Sequence, residues 1–240
     1  MSIAGTTILI TGANRGIGQA LVTEALARGA GRVYAGARRP LAHPDPRVTP
    51  LLLDVTSPDQ IQAAAAQVGS LDLLINNAGL FLFDDLSDRT ALDRQLAVNL
   101  YGTWGVTQAF LPGLIRSQGA IVNNVSIAAL APIPLTPAYS ISKAAAFNMT
   151  QALRMLLGSR GVRVHAVLTG PVDTEMIRDL DIPKTPPQSV ARATFDGVEH
   201  GDEDIFPDPM SASLAQAWRS GPAKALEAQN AALLQPVPAP

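Results

Sequence analysis

The sequence contains no cysteine, which excludes disulfides, thiolate metal sites and cysteine nucleophiles. This absence fits a reducing compartment, and we expect the protein to work in the cytoplasm. Basic residues are not in excess either, because 18 Lys and Arg stand against 20 Asp and Glu, for a formal net charge of −2. Nucleic acid and anionic lipid select clustered cations, so we expect neither as a partner. Small-molecule chemistry is the remaining expectation.

Long apolar runs, linkers and metal-ligand spacings are also missing. The short apolar run 8–10 has no basic leader and stops at Thr11-Gly12, so neither a signal peptide nor a membrane-spanning helix is predicted. No Ser/Gly-rich stretch divides the chain, and the three histidines have no spacing typical of a metal site. With 47% hydrophobic residues, we expect a single domain over 1–234. The proline-rich end, 235–240, is predicted to be a disordered tail.

The remaining sequence alternates between short apolar runs and helical patterns. Continuous apolar runs predict buried strands at 6–10, 32–37, 48–53, 71–75, 120–125 and 162–168. Helical patterns lie at 17–28, 58–68, 90–116, 139–157, 211–219 and 222–234. This alternation predicts an α/β fold with a Rossmann-like, doubly wound parallel sheet. Pro112 is expected to kink or end the third helix.

The first predicted strand runs into a glycine-rich turn, Thr11-Gly12-Ala13-Asn14-Arg15-Gly16-Ile17-Gly18. Glycines allow backbone N–H groups to approach a pyrophosphate closely, and the N-terminus of the following helix favours an anion. The segment therefore predicts a pyrophosphate site, and the less favoured alternative is an ordinary strand-to-helix turn.

The glycine spacing G-x-x-x-G-x-G resembles that of the short-chain dehydrogenase/reductase family. The resemblance continues in order through Asn76-Asn77-Ala78-Gly79, Asn99, Ser126, Tyr139-x-x-x-Lys143 and the segment 170–174, about three quarters of the chain. It implies an oxidoreductase that interconverts a carbonyl compound and its alcohol with a nicotinamide cofactor.

The choice of cofactor is argued from the end of the second strand. An NAD-preferring dinucleotide fold places an acid there for the ribose 2′-hydroxyl, whereas a nearby arginine accommodates a 2′-phosphate. Ala37 stands at the expected acidic position and Arg38 follows it, so we predict NADP(H), with Arg15 as a second phosphate ligand. The alternative is that Arg38 and Arg39 are solvated loop charges.

The resemblance implies further contacts with the cofactor. The residues assigned to it are Gly12, Asn14, Arg15, Gly16, Ile17, Gly18, Arg38, Asp54, Val55, Asn76, Ala78, Gly79, Tyr139, Lys143, Gly170, Val172 and Thr174. Asp54 resembles an adenine-contacting acid, but a turn cap explains it equally well. Asn76 and Gly79 resemble the turn behind the adenosine, or are turn residues only. Thr169 departs from the family, which usually has proline there.

Four catalytic residues are predicted. Two of them share one helix face, one follows a strand, and one lies in another helix. Tyr139 and Lys143 are four residues apart, so they share a face of a helix for which Thr136-Pro137 is a plausible start. A positive neighbour such as Lys143 favours the phenolate of a tyrosine, whose ordinary pKa is about 10. The resemblance implies that Tyr139 is the proton donor and that Lys143 also holds the nicotinamide ribose. It also implies that Ser126 bonds the substrate oxygen and that Asn99 helps hold a water near Lys143.

The predicted substrate side is apolar. By resemblance, the substrate lies between segments 127–135 and 175–183, whose apolar side chains are Ile127, Ile133, Met176, Ile177 and Leu180; Phe81 is added to them. They predict a hydrophobic ketone or aldehyde and its alcohol, although each could also be a core residue.

Two other functions remain open, a 3-oxoacyl-thioester reductase and a non-catalytic NADP-sensing regulator. A regulator would have lost Tyr139 or Lys143, and neither is lost. Residues 203–209 stand where many family members have a final strand and a Gly-rich tail, which weakens kinship with acyl-carrier-protein reductases. The acidic run 201–204 is predicted to be a solvated turn. By analogy, we expect a homo-oligomer, dimer or tetramer, formed through the long apolar helices.

Overall fold

The computed structural model describes residues 1–233, so the predicted tail 235–240 lies outside the described residues. Seven strands form one parallel sheet in the order β3-β2-β1-β4-β5-β6-β7. The strands are β1 (Thr7–Thr11), β2 (Arg32–Ala37), β3 (Val48–Leu52), β4 (Leu73–Asn76), β5 (Ala120–Asn124), β6 (Arg163–Val167) and β7 (Asp204–Ile205). This is the predicted Rossmann-like, doubly wound sheet, and the six predicted strands are found within about two residues of their expected ends.

Helices cover both faces of the sheet. They are α1 (Gly16–Ala27), α2 (Pro58–Val68), α3 (Arg89–Leu96), α4 (Thr103–Ser117), α5 (Pro137–Leu157), α6 (Pro187–His200), α7 (Pro209–Arg219) and α8 (Pro222–Ala232). Five of these, α2, α5, α6, α7 and α8, begin at a proline, which fits the first helical position because its missing N–H is not needed there. Within residues 1–233, no helix is long and apolar enough to cross a bilayer.

The core lies in two layers, because successive side chains of a strand point to opposite faces. On β1, Ile8 and Ile10 pack with Phe195 of α6, whereas Leu9 packs on the other face with Phe110 of α4 and Leu153 of α5. These β1 side chains are fully buried. Full burial of one such side chain stabilises the fold by about 1.5–3 kcal/mol. Burial on both faces explains why the strands are continuous apolar runs rather than alternating ones.

The strand order reverses between β1 and β4, since β2 and β3 lie on one side and β5 to β7 on the other. At such a switch point, the connections leaving the two central strands go to opposite faces and open a crevice at their carboxyl ends. The glycine-rich turn leaves β1 here, and Asn77 follows β4. The topology therefore places the predicted phosphate-binding turn at the crevice.

The predictions for the last third of the chain need three corrections. Helix α6 had no predicted bounds, although its buried residues Val190, Ala191, Thr194, Phe195 and Val198 have helical spacing. Residues 204–205 form a strand beside β6, where none was predicted. The run 201–204 is not simply a solvated turn, because Asp204 is buried and bonds Arg154, Lys224 and the Trp218 indole.

Pro112 does not end the third predicted helix, which was one of the two outcomes expected there. Helix α4 continues through Pro112 to Ser117. Pro112 and Gln108, whose carbonyl loses its partner, are both exposed, so water can satisfy that carbonyl. The irregularity lies earlier, in the π-helical segment Ala97–Gly102 between α3 and α4. Such segments insert one extra residue into a helix and are frequent at functional sites.

Candidate active site

The glycine-rich turn has the shape that its sequence predicts. Gly12 and Gly16 have φ of +64° and +54°, which favour glycine. Gly18 must be glycine for a different reason, since a Cβ there would lie 2.1 Å from the Gly12 carbonyl oxygen. Ala13 N–H donates to the Gly36 carbonyl of β2 at 3.0 Å, which fixes the turn to the sheet. The backbone of this turn is thus fixed in position at the crevice.

The N-terminus of α1 presents backbone donors without a side-chain cap. Arg15 holds the N-cap position, and it makes no side-chain cap hydrogen bond. The first N–H groups of a helix have no intrahelical acceptors, and the helix dipole makes this end favourable for an anion. Asn14 and Arg15 are exposed. The Arg15 guanidinium forms a salt bridge with Glu175. A pyrophosphate fits this arrangement of donors.

Asn77 holds the turn from the side of β4, a role that the sequence analysis did not assign. Its amide Nδ2 donates to the carbonyls of Thr11 and Gly12, at 3.0 and 3.3 Å. The Asn124 amide donates in turn to Asn77 Oδ1 at 3.0 Å. The sequence did contain a signal for this role of Asn77. An asparagine pair stands at the end of each of two strands, at 76–77 and at 123–124, and these strands are neighbours in the sheet.

Asn76, which was predicted to bind the cofactor, does not lie in the crevice. Its side chain is 4% exposed, and its amide donates to Thr107 Oγ1 and to Asn123 Oδ1 at 3.1 and 2.9 Å. The Asn123 amide continues this buried network to Thr150. The structure therefore gives Asn76 a place in the interior. Ala78 and Gly79 are partly exposed beside the turn, and Ala78 N–H donates to Thr11 Oγ1.

The predicted adenosine side brings Arg38 and Asp54 together at the ends of β2 and β3. Arg38 is exposed directly after β2. Burial alone would raise the pKa of Asp54, but hydrogen bonds from Thr56 and the charge of Arg38 outweigh it and lower that pKa. Asp54 thus caps a turn through Thr56 and also lies near the predicted phosphate ligand. Val55 is buried against Gly102.

Tyr139, Lys143 and Ser126 converge at the start of α5. Lys143 is buried, and its ammonium lies 5.7 Å from the centre of the Tyr139 ring, so both occupy one helix face as predicted. Lys143 Nζ donates to the Asn124 carbonyl at 2.9 Å. Ser126 is 7% exposed, and its hydroxyl lies near enough to the phenol to lower the pKa of Tyr139. Through Asn124 and Asn77, the lysine is therefore connected to the glycine-rich turn.

Burial sets the proton affinities of this pair. It raises the pKa of Tyr139 to about 12, although the nearby Ser126 hydroxyl acts in the opposite direction. It also lowers the pKa of Lys143 to about 8. The sequence analysis expected Lys143 to favour the phenolate, but in the protein alone desolvation has the larger effect. Tyr139 therefore carries its proton at neutral pH, as a proton donor must.

The lowered pKa of Lys143 predicts a specific pH dependence of stability. Between pH about 8 and 10.5 the unfolded chain keeps the lysine proton that the folded protein has lost. The free energy of unfolding therefore rises with pH across this window, by an amount of order 3 kcal/mol. Lys143→Met removes the titrating group, so its stability advantage over the wild type should shrink as pH rises through the window. Urea unfolding of the nucleotide-free proteins measures this; a pH-independent difference would contradict the burial argument.

Asn99 lies in the π-helical segment and links three parts of the site. Its side chain accepts from Leu80 N–H at 2.8 Å and donates to the Leu80 carbonyl at 2.9 Å and to Ser142 Oγ at 2.8 Å. A Cβ at Gly79 would lie 3.4 Å from Asn99 Oδ1 and 3.7 Å from Lys143 Nζ. The predicted neighbourhood of Asn99 and Lys143 is thus present, with the Asn99 side chain bonded to protein groups.

The segment 170–174 packs against the glycine-rich turn. Gly170 N–H donates to Asp208 at 2.7 Å, and Val172 is buried in an isolated bridge to Thr185. A Cβ at Gly16 would lie 3.0 Å from Thr174 Cγ2, so this segment packs directly on the glycine-rich turn. The Thr169 carbonyl, at the position where the family usually has proline, accepts from Ile127 N–H at 3.0 Å and from Ser126 Oγ at 3.3 Å.

Two phenylalanine side chains form an aromatic cluster with the Tyr139 ring. The Phe81 ring packs edge-on against Tyr139 with centroids 5.0 Å apart, and Phe83 packs against Phe81 at 5.3 Å. Phe83 is 59% exposed. Of the other residues predicted on the substrate side, Ile133 and Met176 are exposed, Ile177 and Leu180 are partly exposed, and Ile127 packs into a small core cluster.

Comparison with known proteins agrees with this geometry. The sequence profile of the short chain dehydrogenase family matches residues 6–184. The 2-(S)-hydroxypropyl-CoM dehydrogenase 3 of Xanthobacter autotrophicus is 37% identical over 204 residues, which cover 77% of this chain and 79% of the relative. A crystal structure of a short chain dehydrogenase from Burkholderia cenocepacia in complex with NADP matches with a TM-score of 0.86 and 38% identity, covering 95% of this chain and 99% of that one.

A more distant structure shows the fold alone. The 3-ketoacyl-(acyl-carrier-protein) reductase from Brucella melitensis, complexed with NADH, has a TM-score of 0.76 and 22% identity, and the match covers 88% of this chain and 93% of that chain.

Proposed function

The chain belongs to the short-chain dehydrogenase family, and on this premise we propose that it is an NADP(H)-dependent oxidoreductase acting on hydrophobic ketones, aldehydes and their alcohols. The observation that carries the proposal is the convergence of Tyr139, Lys143 and Ser126 at a crevice whose other wall is the glycine-rich turn.

The residues present fit a dinucleotide with a 2′-phosphate. The uncapped N-terminus of α1, which follows a turn with glycines at 12 and 16, suits a pyrophosphate. Arg38, with no acid at Ala37, suits the 2′-phosphate, and Lys143 suits the hydroxyls of the nicotinamide ribose. The NADP complex of the relative from Burkholderia cenocepacia supports the same choice. When bound, the cofactor supplies the hydride chemistry.

The protein's own groups control the oxygen of the substrate. Ser126 donates a hydrogen bond to that oxygen, which stabilises the negative charge that develops on it during reduction. Tyr139 then gives its phenolic proton to the oxygen and completes the alcohol; the reverse transfer serves alcohol oxidation. The ammonium of Lys143 lies close enough to stabilise the phenolate that is left behind.

The apolar walls favour an uncharged substrate. Phe81, Phe83, Ile133 and Met176 offer no charged partner for an ionised substrate, and burial of an unpaired charge is strongly unfavourable. A 3-oxoacyl thioester is the second candidate, because its keto group needs the same Tyr139 chemistry.

We also propose that the enzyme is a homo-oligomer, formed through the long helices as the sequence analysis expects. Tyr101 and Trp104, at the junction of the π-helical segment and α4, are 62% and 53% exposed. On α5, Ile141 and Leu156 are 42% and 54% exposed. Large apolar side chains exposed on adjoining helices are typical of subunit contacts.

NADPH depletion with a panel of aliphatic, aryl and cyclic ketones tests the proposed function. We expect kcat/KM for the apolar ketones to exceed that for a charged 2-keto acid by about a hundredfold, because a carboxylate would lose hydration against the apolar side chains predicted to contact the substrate. Acetoacetyl thioester is included as the second candidate's substrate. Preference for the keto acid, or no turnover with any carbonyl compound, would contradict the proposal.

A further inference from the structure

The catalytic helix α5 lacks the cap that its own sequence predicts. Thr136 occupies the N-cap position, but its side chain makes no cap bond, and its hydroxyl faces the Ile133 carbonyl at 3.5 Å. Pro137 has no N–H to satisfy. The first donor that needs an acceptor is therefore the Ala138 N–H, which is fully buried immediately before Tyr139. A buried donor without a partner would destabilise this end of the helix.

Asp84 supplies the missing acceptor from a segment 54 positions earlier. Its two carboxylate oxygens lie 3.1 and 3.2 Å from the Ala138 nitrogen. A carboxylate at a helix N-terminus also interacts favourably with the helix dipole, so the contact is stronger than a neutral cap. The start of α5 is thus fixed by a side chain from outside the helix.

Asp84 also holds two loops that are sterically strained. Leu86 and Leu135 have φ of +64° and +70°, and they are two of the three non-glycine residues with positive φ in residues 1–233. Leu86 N–H donates to Asp84 Oδ1 at 3.2 Å, and Asp84 N–H donates to the Leu135 carbonyl at 3.0 Å. Such conformations persist only where surrounding contacts enforce them. Both loops have Asp84 as their common contact.

The segment that carries Asp84 also carries the aromatic wall of the cleft. Leu80 N–H donates to Asn99 of the π-helical segment, and Leu82 N–H donates to Gln95 Oε1 of α3 at 3.2 Å. Two backbone groups of this segment are therefore hydrogen-bonded to the neighbouring helices. Phe81, between them, packs against the Tyr139 ring. Asp84 therefore joins the segment that carries this wall to the start of the catalytic helix.

We propose that Asp84 is a positioning residue, which caps α5 and so holds the Tyr139 hydroxyl in register with the substrate oxygen. Its effect on turnover rests on the proposed function. A displacement of a catalytic group by about 1 Å can lower turnover about a hundredfold, even when the mutation that causes it lies far from the reacting atoms. Asp84 should therefore act on kcat for ketone reduction, while binding of NADPH at the glycine-rich turn stays unchanged.

Three variants test the proposal: Asp84→Ala, Asp84→Asn and Asp85→Ala. We expect Asp84→Ala to lower kcat about tenfold or more, and Asp84→Asn to stay within about threefold of the wild type, because its amide oxygen still accepts from Ala138. Asp85 is the matched control, since its carboxylate accepts from the backbone N–H of the nearby Ser87. Should Asp84→Ala not fold, Asp84→Ser replaces it, with a hydroxyl too short to reach Ala138.

Hydrogen exchange of the Ala138 amide, followed by NMR, measures the cap without any turnover. Protection should fall in Asp84→Ala and persist in Asp84→Asn. Full protection in Asp84→Ala, equal loss of kcat in Asp84→Asn and Asp84→Ala, or an equal loss in Asp85→Ala would each overturn the proposal. A wild type that reduces no ketone would contradict the proposed function instead, and the exchange measurement would still decide whether Asp84 caps α5.

Discussion

Tyr139→Phe is expected to lower kcat for ketone reduction by about three orders of magnitude, while NADPH still binds. The phenylalanine ring keeps the edge-on contact with Phe81 at 5.0 Å, so the wall of the cleft stays in place. What disappears is the hydroxyl, whose proton completes the alcohol; a positioned general acid contributes about 10²–10⁴ to the rate. Steady-state kinetics and NADPH fluorescence titration measure the two effects separately.

The matched control is Tyr101→Phe, which makes the same chemical change at a tyrosine that is 62% exposed on the π-helical segment. It should leave kcat unchanged. Turnover in Tyr139→Phe above a tenth of the wild-type value would remove Tyr139 from the role of proton donor. Loss of NADPH binding together with turnover would mean that the variant disturbs the cleft itself.

Arg38→Ala is expected to remove the preference for NADPH. The guanidinium is exposed at the end of β2, next to the strand that carries the glycine-rich turn, so it can bond a 2′-phosphate that NADH does not have. We expect kcat/KM for NADPH to fall about a hundredfold, as for the loss of strong charge-assisted bonds, and the value for NADH to stay within about twofold.

Arg39→Ala is the control for this prediction, because Arg39 is the next residue and is also exposed. An equal effect of the two variants would mean that a general positive charge attracts the cofactor. Equal efficiency of the wild-type protein with NADH and NADPH would refute the assignment of Arg38.

The fold was predictable because its signals are local. Apolar runs at 8–10, 73–75 and 120–122 lie on central strands that are buried on both faces, and the glycine turn follows the first of them. The predicted family is confirmed for the same reason, since its motifs are short and stand in order. Strand β7 was missed because two residues with a single apolar side chain carry no periodic pattern. Helix α6 did carry such a pattern, so its omission was avoidable.

The site was predictable in its residue types but less so in its contacts. The spacing of Tyr139 and Lys143 correctly places them on one helix face, whereas the interior position of Asn76 depends on partners from α4 and β5. The cap of α5 by Asp84 joins residues 54 positions apart, and a local motif favoured Thr136 instead. The raised pKa of Tyr139 likewise follows from burial by the whole fold. Contacts of this kind need tertiary structure.

A crystal structure of the protein with NADP⁺ bound tests the central claim most directly. The account predicts the pyrophosphate on the turn 12–18 at the N-terminus of α1, the 2′-phosphate at Arg38, and the nicotinamide end beside Tyr139 and Lys143. A nucleotide bound away from the turn, or a nicotinamide end remote from the Tyr139 hydroxyl, would contradict it.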